Sequence, residues 1–287
     1  MPPDIYFPNL NISFDNVPKV LFSIFGLEIY IYAVCIVVGI IAAYIMGMSW
    51  VKKTQQNVEV YTDLLTLGVP LALIGLRLYY LIFNWNMYSG QNFLRVFFNF
   101  RDGGLAIFGG IIGSVLAAYI VSRRTKITFP LIADTAAPSF VLGQVIGRFG
   151  NFFNREAFGD YTNNLFAMCI RVDQTPGTRH ITDEIRANIV SFQGAEYYQV
   201  HPTFFYESFF NFLLLLALLI YRPHKRFDGE IVLYYFLGYG IIRFFVERLR
   251  TDQMIFLNTG LPLNQMMAAI ITIVAAALLV AGHRRKK

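Results

Sequence analysis

Seven stretches of this 287-residue chain, at about 27–49, 63–83, 104–122, 130–151, 203–221, 230–247 and 262–282, are apolar enough to lie in a bilayer. Each is close to the roughly 20 residues that a helix needs to cross the hydrocarbon core. The whole chain is 56% hydrophobic and only 15% charged, with a mean hydropathy of +0.50; a soluble domain carries about 25% charged residues. The apolar stretches are separate and numerous. They predict an all-α integral membrane protein, a bundle of about seven transmembrane helices, rather than a soluble domain with one anchor.

Charge placement orients the bundle. Half of the 24 Lys and Arg residues fall in four short clusters, Lys52-Lys53, Arg123-Arg124-Lys126, Arg222-Lys225-Arg226 and Arg284-Arg285-Lys286-Lys287, each directly after an apolar stretch. The positive-inside rule makes all four cytoplasmic, which puts the C-terminus inside and the N-terminus outside. The net charge of +6 is thereby explained without a nucleic-acid surface, because the clusters sit on alternate connections. No basic region precedes Asp4, so no cleavable signal peptide is expected. Cys35 lies within a span and Cys169 in a loop, so the two are not expected to pair.

The organisation that follows is an N-terminal extracytoplasmic arm (1–26), spans one to four (27–151), an extracytoplasmic cap (152–202), and spans five to seven with a basic cytoplasmic tail (203–287). The segment 152–202 combines turn residues such as Gln174-Thr175-Pro176-Gly177 with the alternating run Phe166–Val172, which predicts a small cap of short strands. Segment 84–101, with Trp85, Tyr88, Phe93, Phe97, Phe98 and Phe100, reads as an amphipathic element in the outer interface. Gly109 and Gly113 on the third span form a G-x-x-x-G pair that invites close approach of another helix.

Polar residues inside the spans are the chemically informative part. Gln144, Arg148, Asn151 and Arg155 recur at helical spacing, as do Tyr235, Tyr239, Arg243 and Glu247, so each set predicts one stripe on one helix. Arg77 lies at a similar depth on the second span. An arginine at mid-membrane costs roughly 2.5–3.5 kcal/mol, so each needs a partner; Glu156, Glu207, Glu247 and Asp134 are the candidates. Two uses compete: ion pairs that hold the bundle together, and capture of an anion, since a guanidinium fork matches phosphate oxygens. Gly147, Gly150, Gly159, Gly238 and Gly240 are expected to let a bulky headgroup approach the backbone. His201-Pro202-Thr203 opens the fifth span, and Glu207 enters the membrane one to two turns later. The four histidines are scattered, and no metal-ligand spacing or cofactor fingerprint is present.

The run Gly147-Arg148-Phe149-Gly150-Asn151-Phe152-Phe153-Asn154-Arg155-Glu156-Ala157-Phe158-Gly159 resembles the hallmark G-R-x-G-N-F-x-N-x-E-x-x-G of the bacterial prolipoprotein diacylglyceryl transferases at every fixed position. Gly75-Leu76-Arg77, Gly103-Gly104, Gly109-Gly110, His201-Pro202-Thr203 with Tyr206-Glu207, and Tyr239, Arg243, Phe244 and Glu247 resemble further family motifs. The resemblance implies transfer of the diacylglyceryl group of phosphatidylglycerol to the lipobox cysteine thiol of a prolipoprotein signal peptide, with glycerol phosphate released and no cofactor or metal. It implies Arg148, Arg243, Glu156 and Glu247 as catalytic residues. Substrate would be bound by Arg148, Asn151, Asn154, Gly159, Tyr239, Tyr32, Arg77 and Glu207. One departure stands out: Phe108 occupies a position where many members carry a histidine proposed as the base. Glu156, Glu207 and the lipid phosphate itself are then the weak bases left open. The rival classes are an anion- or lipid-translocating transporter and a structural membrane protein.

Overall fold

The computed structural model describes residues 2–99, 103–175, 177, 180–256 and 260–285. Phe100 of the aromatic segment, Pro176 of the cap turn and Lys286-Lys287 of the basic tail lie outside the described residues. The chain divides into two compact units, one formed by Met1–Ile45 with Ala137–Lys287, the other by Met46–Ala136.

Nine α-helices and seven strands are present among the described residues. The long helices are α1 (Ile31–Lys53), α2 (Val58–Phe83), α4 (Ile107–Thr125), α5 (Phe129–Asn154), α7 (Thr203–Tyr221), α8 (Glu230–Leu249) and α9 (Leu263–Arg285); α3 (Phe93–Phe98) and α6 (Asp183–Ala187) are short. Six of the long ones are both long and apolar enough to cross a membrane. The seventh, α8, has the length at 20 residues. Every window of transmembrane length on it, however, holds three of Glu230, Arg243, Glu247 and Arg248. The count of seven spans is therefore approximate, and the helix that breaks the apolarity rule is one that carries functional-looking charge. Residues 27–30, expected to begin the first span, form a strand, and the helix starts at Ile31.

In the 46–136 unit, the spacing of small residues sets the helix crossing. A Cβ built on Gly75 would lie 2.1 Å from the Gly109 carbonyl oxygen, and one on Gly113 would lie 2.2 Å from that of Leu71. Only glycine permits this contact of α2 with α4. Arg77, 1% exposed, donates to the carbonyls of Gly103 (2.7 Å), Gly104 (3.0 Å) and Val96 (2.6 Å). Its charge thus closes the α3–α4 connection onto α2. Phe108 packs on Tyr79, with ring centroids 6.0 Å apart.

In the other unit, the strands are β1 (Ile5–Phe7), β2 (Ile12–Phe14), β3 (Val20–Ile24), β4 (Leu27–Tyr30), β5 (Met168–Arg171), β6 (Val190–Phe192) and β7 (Ala195–Val200). Five of them form one antiparallel sheet in the order β2-β1-β5-β7-β6. Ile5 pairs with Ile170, and Cys169 with Gln199. The N-terminal arm and the segment 152–202 therefore share a sheet. Strands β3 and β4 form a separate hairpin. Burial drives the assembly: Ile5, Val17, Phe158, Met168, Ile170, Ile185, Val200 and Phe204 make one apolar cluster, each full burial stabilising by about 1.5–3 kcal/mol. Cys169 is buried in β5, not in a loop, and both cysteines are free. Burial pushes the Cys169 thiol up to about 11.

Three helix ends are laced together beneath this sheet. The Gly159 amide donates to the His201 carbonyl (2.9 Å), the His201 amide to Asp160 (3.0 Å), and the Asp160 amide to Leu249 (3.0 Å). These bonds tie the end of α5, the start of α7 and the end of α8 to one another. A Cβ on Gly159 would meet the Leu249 carbonyl oxygen at 2.6 Å and His201 Cβ at 2.8 Å. Gly159 is a backbone crossing point, which corrects its expected role beside a headgroup.

Candidate functional site

The lacing brings Arg148 on α5, Glu207 on α7 and Arg243 on α8 face to face. Arg148 Nη2 donates to Glu207 Oε1 at 2.6 Å, and Arg243 Nη1 donates to Glu207 Oε2 at 3.1 Å. Two guanidinium groups from two helices thus span the two oxygens of one carboxylate. Behind them, Arg243 Nη2 also donates to Glu247, which in turn accepts from Asn264 Nδ2 on α9 at 3.0 Å. The Tyr239 hydroxyl reaches Glu207 Oε1 at 3.4 Å and its ring stacks on Tyr235, with centroids 5.6 Å apart. Gln144 Nε2 donates to the Tyr235 hydroxyl at 3.3 Å. The α8 stripe is therefore one continuous face, as its spacing predicts.

Exposure is asymmetric across this cluster. The carboxylates of Glu207 and Glu247 are 2% and 1% exposed, whereas the side chains of Arg148 and Arg243 retain 23% and 13%. The acids sit behind and hold the guanidiniums; the cations face outward. Two arginines against two carboxylates leave no excess charge to be stranded in a low-dielectric interior. Such pairs contribute little net stability compared with an apolar replacement, but they fix geometry, and removing one member is costly.

The other end of the α5 motif is built differently. Asn151 and Asn154 both donate through Nδ2 to Glu156 Oε1, at 3.0 and 3.2 Å, and Asn151 Oδ1 accepts from Arg148 Nη1 at 3.4 Å. Tyr32 on α1 comes close because Gly150 has no side chain; a Cβ there would lie 2.6 Å from the Tyr32 ring. Helix α5 ends at Asn154, and Arg155 and Ala157 both take left-handed backbone angles, φ 56° and 55°. Such angles cost non-glycine residues about 1–3 kcal/mol each. Arg155 consequently leaves the stripe expected from its spacing. It donates to Asp4 Oδ2 (3.2 Å) and to the carbonyls of Val17 (2.7 Å) and Phe153 (3.2 Å), pinning the N-terminal arm.

Arg77 and Asp134 belong to the 46–136 unit, where Arg77 is bound to the carbonyls of Gly103, Gly104 and Val96. Of the glycines expected beside a headgroup, Gly150 faces Tyr32, Gly159 faces Leu249 and His201, Gly238 faces Leu214, and Gly240 faces Thr272; only Gly147 opens onto free space. These small residues chiefly serve packing. His201 is half-buried, with Nδ1 3.3 Å from the Tyr206 hydroxyl, and desolvation holds its imidazole below its ordinary value against the pull of Asp160. Sequence reasoning missed Asn264, whose signal was an amide at the start of an otherwise apolar span.

The apolar helices define a multi-pass integral membrane protein in which two arginines from two helices converge on one buried carboxylate. The sequence profile of the prolipoprotein diacylglyceryl transferases matches residues 19–281, and the chain belongs to that family. A Finegoldia magna protein named phosphatidylglycerol--prolipoprotein diacylglyceryl transferase is 36% identical over 269 residues, 93% of this chain and 96% of that protein. Proteins of the same name from Clostridium novyi (37% over 270 residues, 93% and 97%) and Enterococcus faecalis (36% over 273 residues, 94% and 92%) are equally similar. The chain is a membrane-embedded transferase.

Proposed function

We propose that this chain transfers the diacylglyceryl group of phosphatidylglycerol to the thiol of a prolipoprotein's lipobox cysteine, forming a thioether and releasing glycerol phosphate. The relatives' shared name supports the two substrates, and the observation that carries the reading is the convergence of Arg148 and Arg243 on one two-oxygen anion, Glu207. In this reading, the N-terminus and the cap lie outside a bacterial inner membrane and the basic tail inside.

The reaction displaces a phosphate ester oxygen from an sp³ carbon by sulfur. As the C–O bond lengthens, negative charge grows on the phosphate. Donors already fixed where that charge develops lower the barrier without reorganising. Arg148 and Arg243 take this part, presenting their outward N–H groups to the non-bridging oxygens while Glu207 and Glu247 hold the planes from behind. Asn151 on Arg148, Asn154 on Glu156, Tyr239 on Glu207 and Tyr32 beside Gly150 are the neighbouring groups that orient the substrates in this reading. The lipid enters sideways from the outer leaflet, and the apolar segment of the signal peptide follows the same route. The residues that do this work belong to the chain; the reading calls for no cofactor.

The test is direct. Purified chain mixed with phosphatidylglycerol and a lipobox peptide should add one diacylglyceryl mass to the peptide cysteine. Anion or lipid movement across liposomes without that adduct would favour a transporter instead.

A further inference from the structure

We infer that Glu156 is the catalytic proton acceptor for the incoming thiol; the inference rests on the transferase reading above. The site offers several carboxylates, and their contacts separate them. Both oxygens of Glu207 and of Glu247 are already engaged by arginine or asparagine, so neither acid presents a free oxygen to a thiol. Asp160 Oδ1 accepts from the Tyr161 amide and the Thr182 hydroxyl, and Asp252 is paired with Arg250. Unlike Glu207, Glu247 and Asp252, Glu156 has no ion pair among the described residues, and unlike Asp160 it is linked to Arg148 through a single asparagine. Both asparagine amides hold the same oxygen, Oε1, and Oε2 has no hydrogen-bond partner among the described residues. One oxygen is fixed and the other is presented, which is the arrangement a general base needs.

The backbone around it supports the same assignment. Glu156 sits between two residues in left-handed conformation, Arg155 and Ala157. That turn is held by the Arg155 bonds to the N-terminal arm and by the Thr203 hydroxyl on the Ala157 carbonyl. Residues held in such conformations by surrounding contacts, as Arg155 and Ala157 are on either side of Glu156, cluster at active sites. Asn151 links the two halves of the site: its oxygen faces Arg148 and its nitrogen faces Glu156. The proton acceptor therefore lies one amide away from the phosphate clamp. Lys19 at the foot of the β3–β4 hairpin, Tyr32 on α1 and, across Asn151, Arg148 are among the titratable groups around it.

In the step, the thiol proton passes to Glu156 Oε2 as a sulfur lone pair forms the S–C bond. The C–O bond breaks, and its electron pair stays on the phosphate oxygen, which gains a second negative charge. The Glu156 carboxyl then returns its proton to the departing glycerol phosphate and is ionised again.

The experiment compares wild type and Glu156→Gln between pH 6 and 9 in phosphatidylglycerol vesicles with a lipobox peptide. The variant should be slower by about 100-fold at pH 7, with KM for the lipid nearly unchanged. Its rate should climb about tenfold per pH unit towards the thiol's own pKa near 8.5, closing the gap. A peptide bearing selenocysteine, already ionised at neutral pH, should close it further. Asn154→Ala, which loosens the carboxylate, should show the same pH signature with a smaller loss, and serves if Glu156→Gln does not fold. An equal loss at every pH, or a rate like that of wild type, would overturn the assignment. Absence of adduct with the wild-type chain would instead refute the transferase reading.

Discussion

Replacing Glu207 by Gln changes one buried charge and leaves the shape. The wild-type carboxylate is 2% exposed and accepts from Arg148 at 2.6 Å and from Arg243 at 3.1 Å. An amide keeps one acceptor oxygen but turns a donating NH2 towards the second guanidinium. One charge-assisted bond becomes a donor–donor clash, and one buried cation loses its counter-charge. Breaking a buried pair in this way costs about 3–5 kcal/mol; the bond that survives reduces this to roughly 2–4 kcal/mol. At about 2–4 °C per kcal/mol, the unfolding midpoint in detergent should fall by on the order of 5–15 °C. Phosphatidylglycerol should then stabilise the variant more than wild type, because the arginines are less fully compensated from behind and attract the phosphate on their outward side more strongly, and a ligand that binds only the folded state raises the midpoint. Thermal unfolding with and without the lipid measures both. A midpoint within about 1 °C of wild type, with the same lipid shift in both proteins, would refute the view that Glu207 compensates and holds the two arginines.

Two further perturbations probe the frame around the site. Gly109→Ala would place a Cβ 2.0 Å from the Gly75 carbonyl oxygen; the α2–α4 crossing must open, and a loss of more than about 2 kcal/mol in stability is expected from denaturation in mild detergent. Arg155→Ala removes three bonds to Asp4, Val17 and Phe153; limited proteolysis should then cut the N-terminal arm, while peptide modification slows by less than about tenfold, since the residue touches no clamp group.

Some of this arrangement was legible in the sequence. Tyr235, Tyr239, Arg243 and Glu247 share a face because four-residue spacing and an uninterrupted helix make them do so. Spacing alone misplaced Arg155, since periodicity does not reveal where a helix stops, and the left-handed turn there involves no glycine. Glu207 could be nominated as an arginine partner but not chosen over Asp134, because the choice depends on how α7 packs against α5 and α8. The pairing of Ile5 with Ile170, which puts the N-terminal arm into the cap sheet, joins segments too distant for any local pattern to link. A sequence shows that Gly150, Gly159, Gly238 and Gly240 are small, not that protein fills the space beside each of them.

The central claim is that Arg148 and Arg243 grip one phosphodiester as a unit. It is tested most directly by the rates of peptide modification in Arg148→Lys, Arg243→Lys and the double variant. A lysine keeps the charge but loses the planar fork, so each single change should cost about 100-fold in kcat/KM, the equivalent of roughly 2.7 kcal/mol. The double variant should be little worse than either, since residues acting on one group are not additive. Near-normal turnover in Arg148→Lys, or losses that simply multiply in the double variant, would contradict the claim.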